Sequence, residues 1–362
     1  MPERKIGLVI QGILASKPNN SSNVDSDWNI NIKKLLDNYS HLFSEIMLVT
    51  WKEEEKKVNK KLLNFKNLKF LFLEDPGIPE IYSKGMSDNR LRQFYSSYEG
   101  FKALSDQIDI AIKTRTDLFI DFEKIINFFL IEEERKKKLL QSKFEGIICS
   151  KRFHVHRPYW LSDFLYVGNK KILIDFFFCQ IKYKNERFAL FEGSPESDSV
   201  LKFLFYKRKN IKIFRESKYF PSLPKRLNGS WSGCIYHKKE FDLWQYSIRR
   251  FFSVLPYEIT KPALWRGENS YKDHKGKIYE YEDFLDSEKN YLETLKKIPN
   301  AANSFILINF NLGFINFNYL KRKFENIFKG KYSIFNIFKY FNKLEYYYRR
   351  VLFIIFRKIK NS

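Results

Sequence analysis

The sequence predicts an α/β protein whose mostly parallel sheet is covered by helices on both faces. Three features predict it: short apolar runs of strand length, intervening segments with helical spacing, and polar residues set just after the apolar runs. Strands that alternate with helices are joined by right-handed crossovers, which leave successive strands parallel. Residues 6–10 form the first apolar strand. Residues 27–39 carry Ile30, Leu35 and Leu36 at helical spacing, with Asp27 as N-cap. Residues 46–50 and 68–73 are the next strands, bounded by charged and turn residues. Residues 88–104 read as a helix and 108–114 as a further strand, which ends in Arg115-Thr116-Asp117. In such sheets ligands bind beyond the carboxyl ends of the strands. Chemistry is therefore expected at Gln11-Gly12, Thr50-Trp51, Asp75-Pro76-Gly77 and Arg115-Thr116-Asp117.

Composition narrows the class. Of 362 residues, 44% are hydrophobic and 30% charged, which supports a packed core and excludes global disorder. The formal charge of +23 implies an anionic partner: nucleic acid, an acidic membrane or phosphorylated substrates. Cys149, Cys179 and Cys234 are scattered without a CxxC pair, which excludes a disulfide framework and a zinc ribbon and fits a reducing compartment. No apolar run approaches the ~20 residues that span a bilayer. Arg4-Lys5 followed by an apolar stretch mimics a signal peptide, but Gln11 and Gly12 interrupt the stretch and Ser16-Lys17-Pro18 is a poor cleavage site. GxGxxG, GxxxxGK[ST], GxSxG and HExxH are all missing, which argues against an ordinary dinucleotide site, a P-loop, a nucleophile elbow and a zincin.

The organisation divides near residue 310. Residues 311–362 hold 12 Lys+Arg against 2 Asp+Glu, together with 15 aromatics. Phe335, Phe338, Phe341, Leu344, Tyr348, Val351, Ile355 and Ile359 recur at helical spacing and are flanked by lysines and arginines. This describes a basic amphipathic helix able to lie on an anionic membrane surface. The alternative is a stripe that packs on the main domain, 1–310.

Several constellations could carry chemistry. A carboxylate at a strand end, as at Asp117, can bind a divalent cation that neutralises a diphosphate, and Arg115 can grip phosphate in bidentate fashion. The plain alternative is an Arg/Asp pair that caps the strand. Arg92 and Gln93 lie one turn into a helix, near a terminus that favours anions, or simply on a solvated face. The stretch 157–168 is dense in aromatics around Asp163, which suits a sugar-binding wall with a general base, or a core strand with a solvated carboxylate. His154 and His156 share a strand face but lack a third ligand at recognisable spacing. Glu196, in Pro195-Glu196-Ser197-Asp198, is an acidic residue of a helix's first turn, favourable there by itself.

Taken in order, these blocks resemble the WavE lipopolysaccharide synthesis family. The matching elements are Gln11-Gly12 closing the first strand, Thr50-Trp51, Asp75-Pro76-Gly77, Asn89-Arg90-Leu91-Arg92-Gln93 with Gly100, Lys113-Thr114-Arg115-Thr116-Asp117, Pro158 to Gly168 with Ser162-Asp163, and Pro195-Glu196. Phe164 stands where the family often has Trp, and Ser197 where Gln is usual. The resemblance covers roughly residues 5–205 and leaves out the tail. It implies a GT-A-like, Rossmann-type glycosyltransferase acting on lipopolysaccharide core or another surface glycan, with a nucleotide-sugar donor. It also implies a divalent metal, Mn²⁺ or Mg²⁺, on Asp117. Gln11, Gly12, Thr50, Trp51, Arg92, Gln93 and Arg115 would bind the donor, and Asp163, or else Glu196, would be the catalytic base. Such an enzyme would work from the cytoplasm, peripheral on the inner face of the cytoplasmic membrane. The competing readings are a non-catalytic nucleic-acid-binding protein, which explains the charge alone, and a sugar nucleotidyltransferase, for which no triphosphate-binding loop is visible.

Overall fold

The computed structural model describes residues 4–16, 26–77, 89–141, 144–151, 161–184, 195–207, 234–266, 268–269, 281–297 and 305–308. The basic tail, the boundary near residue 310, and His154 and His156 lie outside them. In order, the elements are β1 (Ile6–Gln11), β2 (Ala15–Ser16), β3 (Ser26–Asp27), α1 (Trp28–Tyr39), β4 (Glu45–Trp51), β5 (Leu68–Leu73), α2 (Arg90–Ala103), β6 (Ile110–Arg115), β7 (Leu118–Phe119) and α3 (Phe122–Leu140). They continue with β8 (Ile148–Ser150), β9 (Tyr166–Asn169), α4 (Lys170–Lys182), α5 (Pro195–Lys207), β10 (Cys234–His237), α6 (Lys238–Arg250), β11 (Phe252–Val254), α7 (Tyr257–Thr260), β12 (Leu264–Trp265), β13 (Glu268–Asn269), α8 (Tyr281–Lys297) and β14 (Phe305–Ile308). Short 3₁₀ turns over Ser40–Leu42, Lys52–Lys57 and Lys60–Asn64 complete the set.

The chain divides into two compact units. The first comprises Met1–Phe153, Ser162–Lys184 and Arg249–Tyr281; the second comprises His154–Leu161, Asn185–Ile248 and Glu282–Ser362. In the second unit, β10 and β14 pair in parallel, and the Gln245 amide of α6 donates to the Glu288 and Lys289 carbonyls of α8.

The first unit is built on a seven-stranded sheet of order β11-β8-β9-β6-β1-β4-β5. All neighbours run parallel except β9, which is antiparallel to both β6 and β8. Alternation along each strand sends side chains to two covered faces. Leu8, Ile10, Ile46, Leu48, Ile110 and Ile112 share one core with Leu35 and Leu36 of α1 and Ile125 and Phe129 of α3. On the opposite face lie α2 and α4, joined through Phe94 and Phe101 against Phe177 at ring separations of 6.0 and 5.6 Å. The expected α/β sheet with helices on both faces is therefore present. Asp27 caps α1 as expected, its carboxylate accepting the Asn29 amide at 2.9 Å. The strand and helix limits agree with the sequence reading to within about two residues, the usual scatter at element ends.

Two devices fix the edges of this layer. Lys170, nearly buried at the start of α4, donates to the Leu104 and Ser105 carbonyls beyond α2 at 2.7 and 2.9 Å. Glu132 of α3, 1% exposed, accepts from Arg135 at 2.7 Å, from Ser253 of β11 at 2.5 Å and from Tyr281. Gly100 then sets how near α2 can lie to the sheet: a Cβ there would meet Val9 Cγ1 at 2.6 Å and Val49 Cγ2 at 2.8 Å. Both neighbours are stiff β-branched side chains of the sheet interior. Gly100→Ala is expected to destabilise the fold by about 1–3 kcal/mol by overpacking, although alanine favours a helix interior over glycine by about 1 kcal/mol. Urea unfolding of the variant measures the difference.

Candidate functional site

The carboxyl ends of β1, β4, β5 and β6 lie along one edge of the sheet, as parallel pairing requires. β9 runs the other way, with Tyr166 opposite Lys113, so its entry segment meets the same edge. This single reversal brings Asp163 and Phe164 beside the end of β6. Within β6, Lys113 and Arg115 are in register with Val9 and Gln11 of β1, and all four share the α2–α4 side of the sheet.

Lys113 is fully buried. Its ammonium donates to the Asp163 carbonyl at 2.6 Å and lies 5.9 Å from the centre of the Tyr166 ring. Gln93 of α2 donates to the same carbonyl at 2.9 Å. Two donors from different elements thus fix the peptide that carries Asp163. Burial, which penalises the charged form, lowers the Lys113 pKa to about 7; the carboxylates of Asp163 and Asp117 oppose the shift and Arg115 adds to it. The Asp163 carboxylate accepts no hydrogen bond among the described residues.

Arg115 and Asp117 form a fork-to-fork ion pair, Nε to Oδ1 at 2.8 Å and Nη2 to Oδ2 at 2.9 Å. The Arg115 guanidinium lies 5.2 Å from the Phe164 ring, which is edge-on to Trp265 at 5.1 Å. Asp117 Oδ2 also accepts the Trp265 indole N–H at 3.1 Å and Arg266 Nε at 3.4 Å. Trp265 and Arg266 arrive through a small antiparallel sheet: β12 pairs with β7, which follows Asp117 directly, and Arg266 N–H donates to the Asp117 carbonyl at 2.8 Å. Burial pushes the Asp117 pKa up, but the bonds and charge of Arg115, with help from Trp265 and Arg266, hold it below the usual carboxylate range. Arg266 has φ of 54°, on the tight turn between β12 and β13. Left-handed backbone costs a non-glycine residue about 1–2 kcal/mol.

The other expected residues divide by environment. Gln11 is buried and its side-chain carbonyl accepts from Ser96 at 3.0 Å. Gly12 has φ of +141°, and the place of its missing Cβ is taken by the Thr116 hydroxyl, 2.6 Å away. Its lack of a side chain therefore admits Thr116. Thr50 is fully buried, with its hydroxyl unpaired among the described residues, and offers no surface to a ligand. Trp51 is half-buried at the end of β4. Arg92 forks onto Asp75 at 2.8 and 2.5 Å and reaches Asn89 at 3.0 Å, tying the segment after β5 to the start of α2. Glu196 belongs to the second unit, at the head of α5, and its side chain lies outside the described residues.

The expected metal on Asp117 meets a specific obstacle. Both carboxylate oxygens are already bonded, and two of the partners are cationic. Among the described residues no group of three His, Cys, Asp or Glu converges to hold a cation. As arranged, Asp117 is an internal counter-ion and does not fit a metal ligand. Sequence reasoning marks the end of β6 but misses the positions of Lys113, Trp265 and Arg266 in the site. Lys113 is visible inside the strand-end cluster; nothing local signals the other two.

The buried lysine sets a pH dependence with a definite sign. Below about pH 7 the amine is protonated whether folded or unfolded, and the burial penalty is fully present. Between about pH 7 and the unfolded value near 10.4, the folded protein releases the proton first, so this group's contribution raises stability with pH. Lys113→Met is expected to be more stable than wild type at pH 6, with the gap narrowing toward pH 9. Thermal unfolding across that range tests it.

No protein-family model and no curated protein matches the chain. Among solved structures, the chain is similar to 4-diphosphocytidyl-2C-methyl-D-erythritol synthase from Anaerococcus prevotii DSM 20548, at 16% identity over 56% of this chain and 84% of that chain, with a TM-score of 0.32. A likeness of that size carries no weight for fold or function.

Proposed function

We propose that the protein is a GT-A-type glycosyltransferase that moves a sugar from a nucleotide-sugar donor to a surface-glycan acceptor such as lipopolysaccharide core. The observation that carries this reading is a juxtaposition at one sheet edge. Arg115 and Arg266 flank Asp117, and the segment that packs Phe164 against Arg115 also holds Asp163, whose carboxylate has no hydrogen-bond partner among the described residues. Glycosyl transfer needs those two halves: cations where negative charge gathers on the departing diphosphate, and a base where the acceptor hydroxyl loses its proton.

In the proposed reaction the acceptor oxygen attacks the anomeric carbon as the bond from that carbon to the diphosphate oxygen breaks. Asp163 takes the hydroxyl proton, and the guanidinium groups steady the charge on the leaving diphosphate. Lys113 and Gln93 fix the Asp163 peptide, so the carboxylate starts from a defined position and loses less freedom in the transition state. Trp51, half-buried at the neighbouring strand end, is placed to stack on a base or sugar. The ordered sequence blocks that resemble the WavE family support the same reading. The segment 311–362, with its 12 Lys+Arg and 15 aromatics, would hold the enzyme on an anionic membrane surface where a glycolipid acceptor resides. No helix among the described residues is long and apolar enough to cross a membrane.

The test is transfer of labelled sugar from a panel of UDP-, GDP- and ADP-sugars to detergent-dispersed lipopolysaccharide core, with a CMP-sugar, which has no diphosphate, as the expected negative. Asp163→Asn is expected to reduce turnover by about 10²–10⁴-fold, the range for losing a general base, with donor affinity unchanged. Pyrophosphate release from a nucleoside triphosphate and a sugar phosphate would instead assign a nucleotidyltransferase. Retention of full transfer by Asp163→Asn would remove Asp163 from the role.

A further inference from the structure

We propose that Arg115, Asp117 and Arg266 form a preassembled guanidinium clamp that takes the donor's diphosphate without a divalent cation; the proposal rests on the transferase reading above. Asp117 sits between the two arginines and uses both oxygens to orient them. Arg115 spends Nε and Nη2 on this pair, which leaves Nη1 without a partner among the described residues. Arg266 engages through Nε, at 3.4 Å, and its two terminal amino groups have no partner among the described residues. Both arginines are thus held by one carboxylate while keeping donors that it does not use.

The charges leave an excess to be matched. Two guanidinium groups and one carboxylate carry a net positive charge, and the third partner of Asp117, the Trp265 indole, is neutral. A planar fork of N–H donors suits the oxygens of a phosphate in a way a lysine ammonium does not. Exposure fits the assignment: the Arg266 side chain is 52% exposed and that of Arg115 23%, whereas that of Asp117 is 8% exposed. The anion at the centre is sheltered, Arg266 is open to solvent, and Arg115 is reachable over only part of its side chain.

Arg266 also occupies backbone that its side chain disfavours. Its φ of 54° falls on a two-residue turn, since Trp265 pairs with Glu268 across the hairpin, and glycine or asparagine ordinarily fills such a position. That conformation holds the guanidinium 4.8 Å from the centre of the Trp265 ring and against Asp117. Non-glycine residues in such backbone cluster at ligand clamps and active sites, where the surrounding structure holds them. A divalent cation, by contrast, would have to displace the Arg115 fork and stand beside two fixed positive charges. The clamp supplies the charge that a metal would otherwise bring.

The test is calorimetric titration of the full chain with inorganic pyrophosphate, in EDTA and then with Mg²⁺ or Mn²⁺, beside thermal unfolding of the same samples. Wild type is expected to bind in EDTA, with no gain from either metal. Arg266→Gly is expected to weaken binding about tenfold, within the range for a charge-assisted contact, with only a small change in the unfolding midpoint, because the relief of the turn by glycine offsets the lost 3.4 Å contact with Asp117. Arg266→Lys, which keeps the charge but not the fork, is expected to fall between the two and covers a failure of the glycine variant to fold. Binding that appears only with a divalent cation, or wild-type affinity in Arg266→Gly, overturns the clamp and leaves the transferase reading standing. No binding of pyrophosphate or of any UDP- or GDP-sugar, with or without metal, overturns both.

Discussion

The carboxylate of Asp117 is the constraint around which the candidate site is arranged. It is nearly buried, yet it stays ionised because Arg115, Trp265 and Arg266 supply donors from three directions. A buried carboxylate without such partners would take up a proton, and an unpaired buried arginine would be costlier still. Each partner therefore depends on the others. Arg115 and Asp117 are brought together by the turn that ends β6, and the β7–β12 pairing fixes Trp265 and Arg266 against them. Phe164, beneath Arg115 and edge-on to Trp265, fills the remaining apolar side.

The neighbouring lysine follows a different solution to the same problem. Lys113 points into the α2–α4 layer, where its ammonium finds the Asp163 carbonyl and the face of Tyr166 but no directly bonded carboxylate. Its charge is correspondingly weakened. The sheet edge thus holds a strongly ionised pair next to a lysine that titrates near neutrality. The shared element is the segment Asp163–Phe164: its carbonyl receives Lys113 and Gln93, and its aromatic ring lies against Arg115. Displacing that segment would disturb both groups at once.

Much of the sheet is legible in the sequence because its signals are local. The apolar runs of β1, β4, β5 and β6, and Asp27 ahead of α1, lie within a few residues of the structure they dictate. The polar residues at the end of β6 can be placed because parallel strands expose their carboxyl ends on one edge. The reversal of β9 cannot be read, since its apolar residues fit either direction. Trp265 and Arg266 lie 148 and 149 residues from Asp117, and two-residue strands leave no periodic trace by which to join them. Gly12 is recognisable as backbone that needs room, but the room is filled by Thr116, just past the end of β6, the strand beside β1. The sequence shows Asp117 as a carboxylate at a strand end; that its two arginine partners occupy both oxygens is not visible there.

The most direct measurement is a double-mutant cycle at Arg115 and Asp117, followed by urea unfolding. If Asp117 is the counter-ion that organises the edge, Asp117→Asn leaves Arg115 with a poorly matched, partly buried charge. A loss of about 3 kcal/mol is then expected, near the lower end for breaking a buried pair. Arg115→Met combined with Asp117→Asn should recover part of that loss, giving a coupling well above the ~0.5 kcal/mol error of additivity. An Asp117→Asn protein as stable as wild type, with additive effects at the two positions, would contradict the account and return Asp117 to the role of an open ligand.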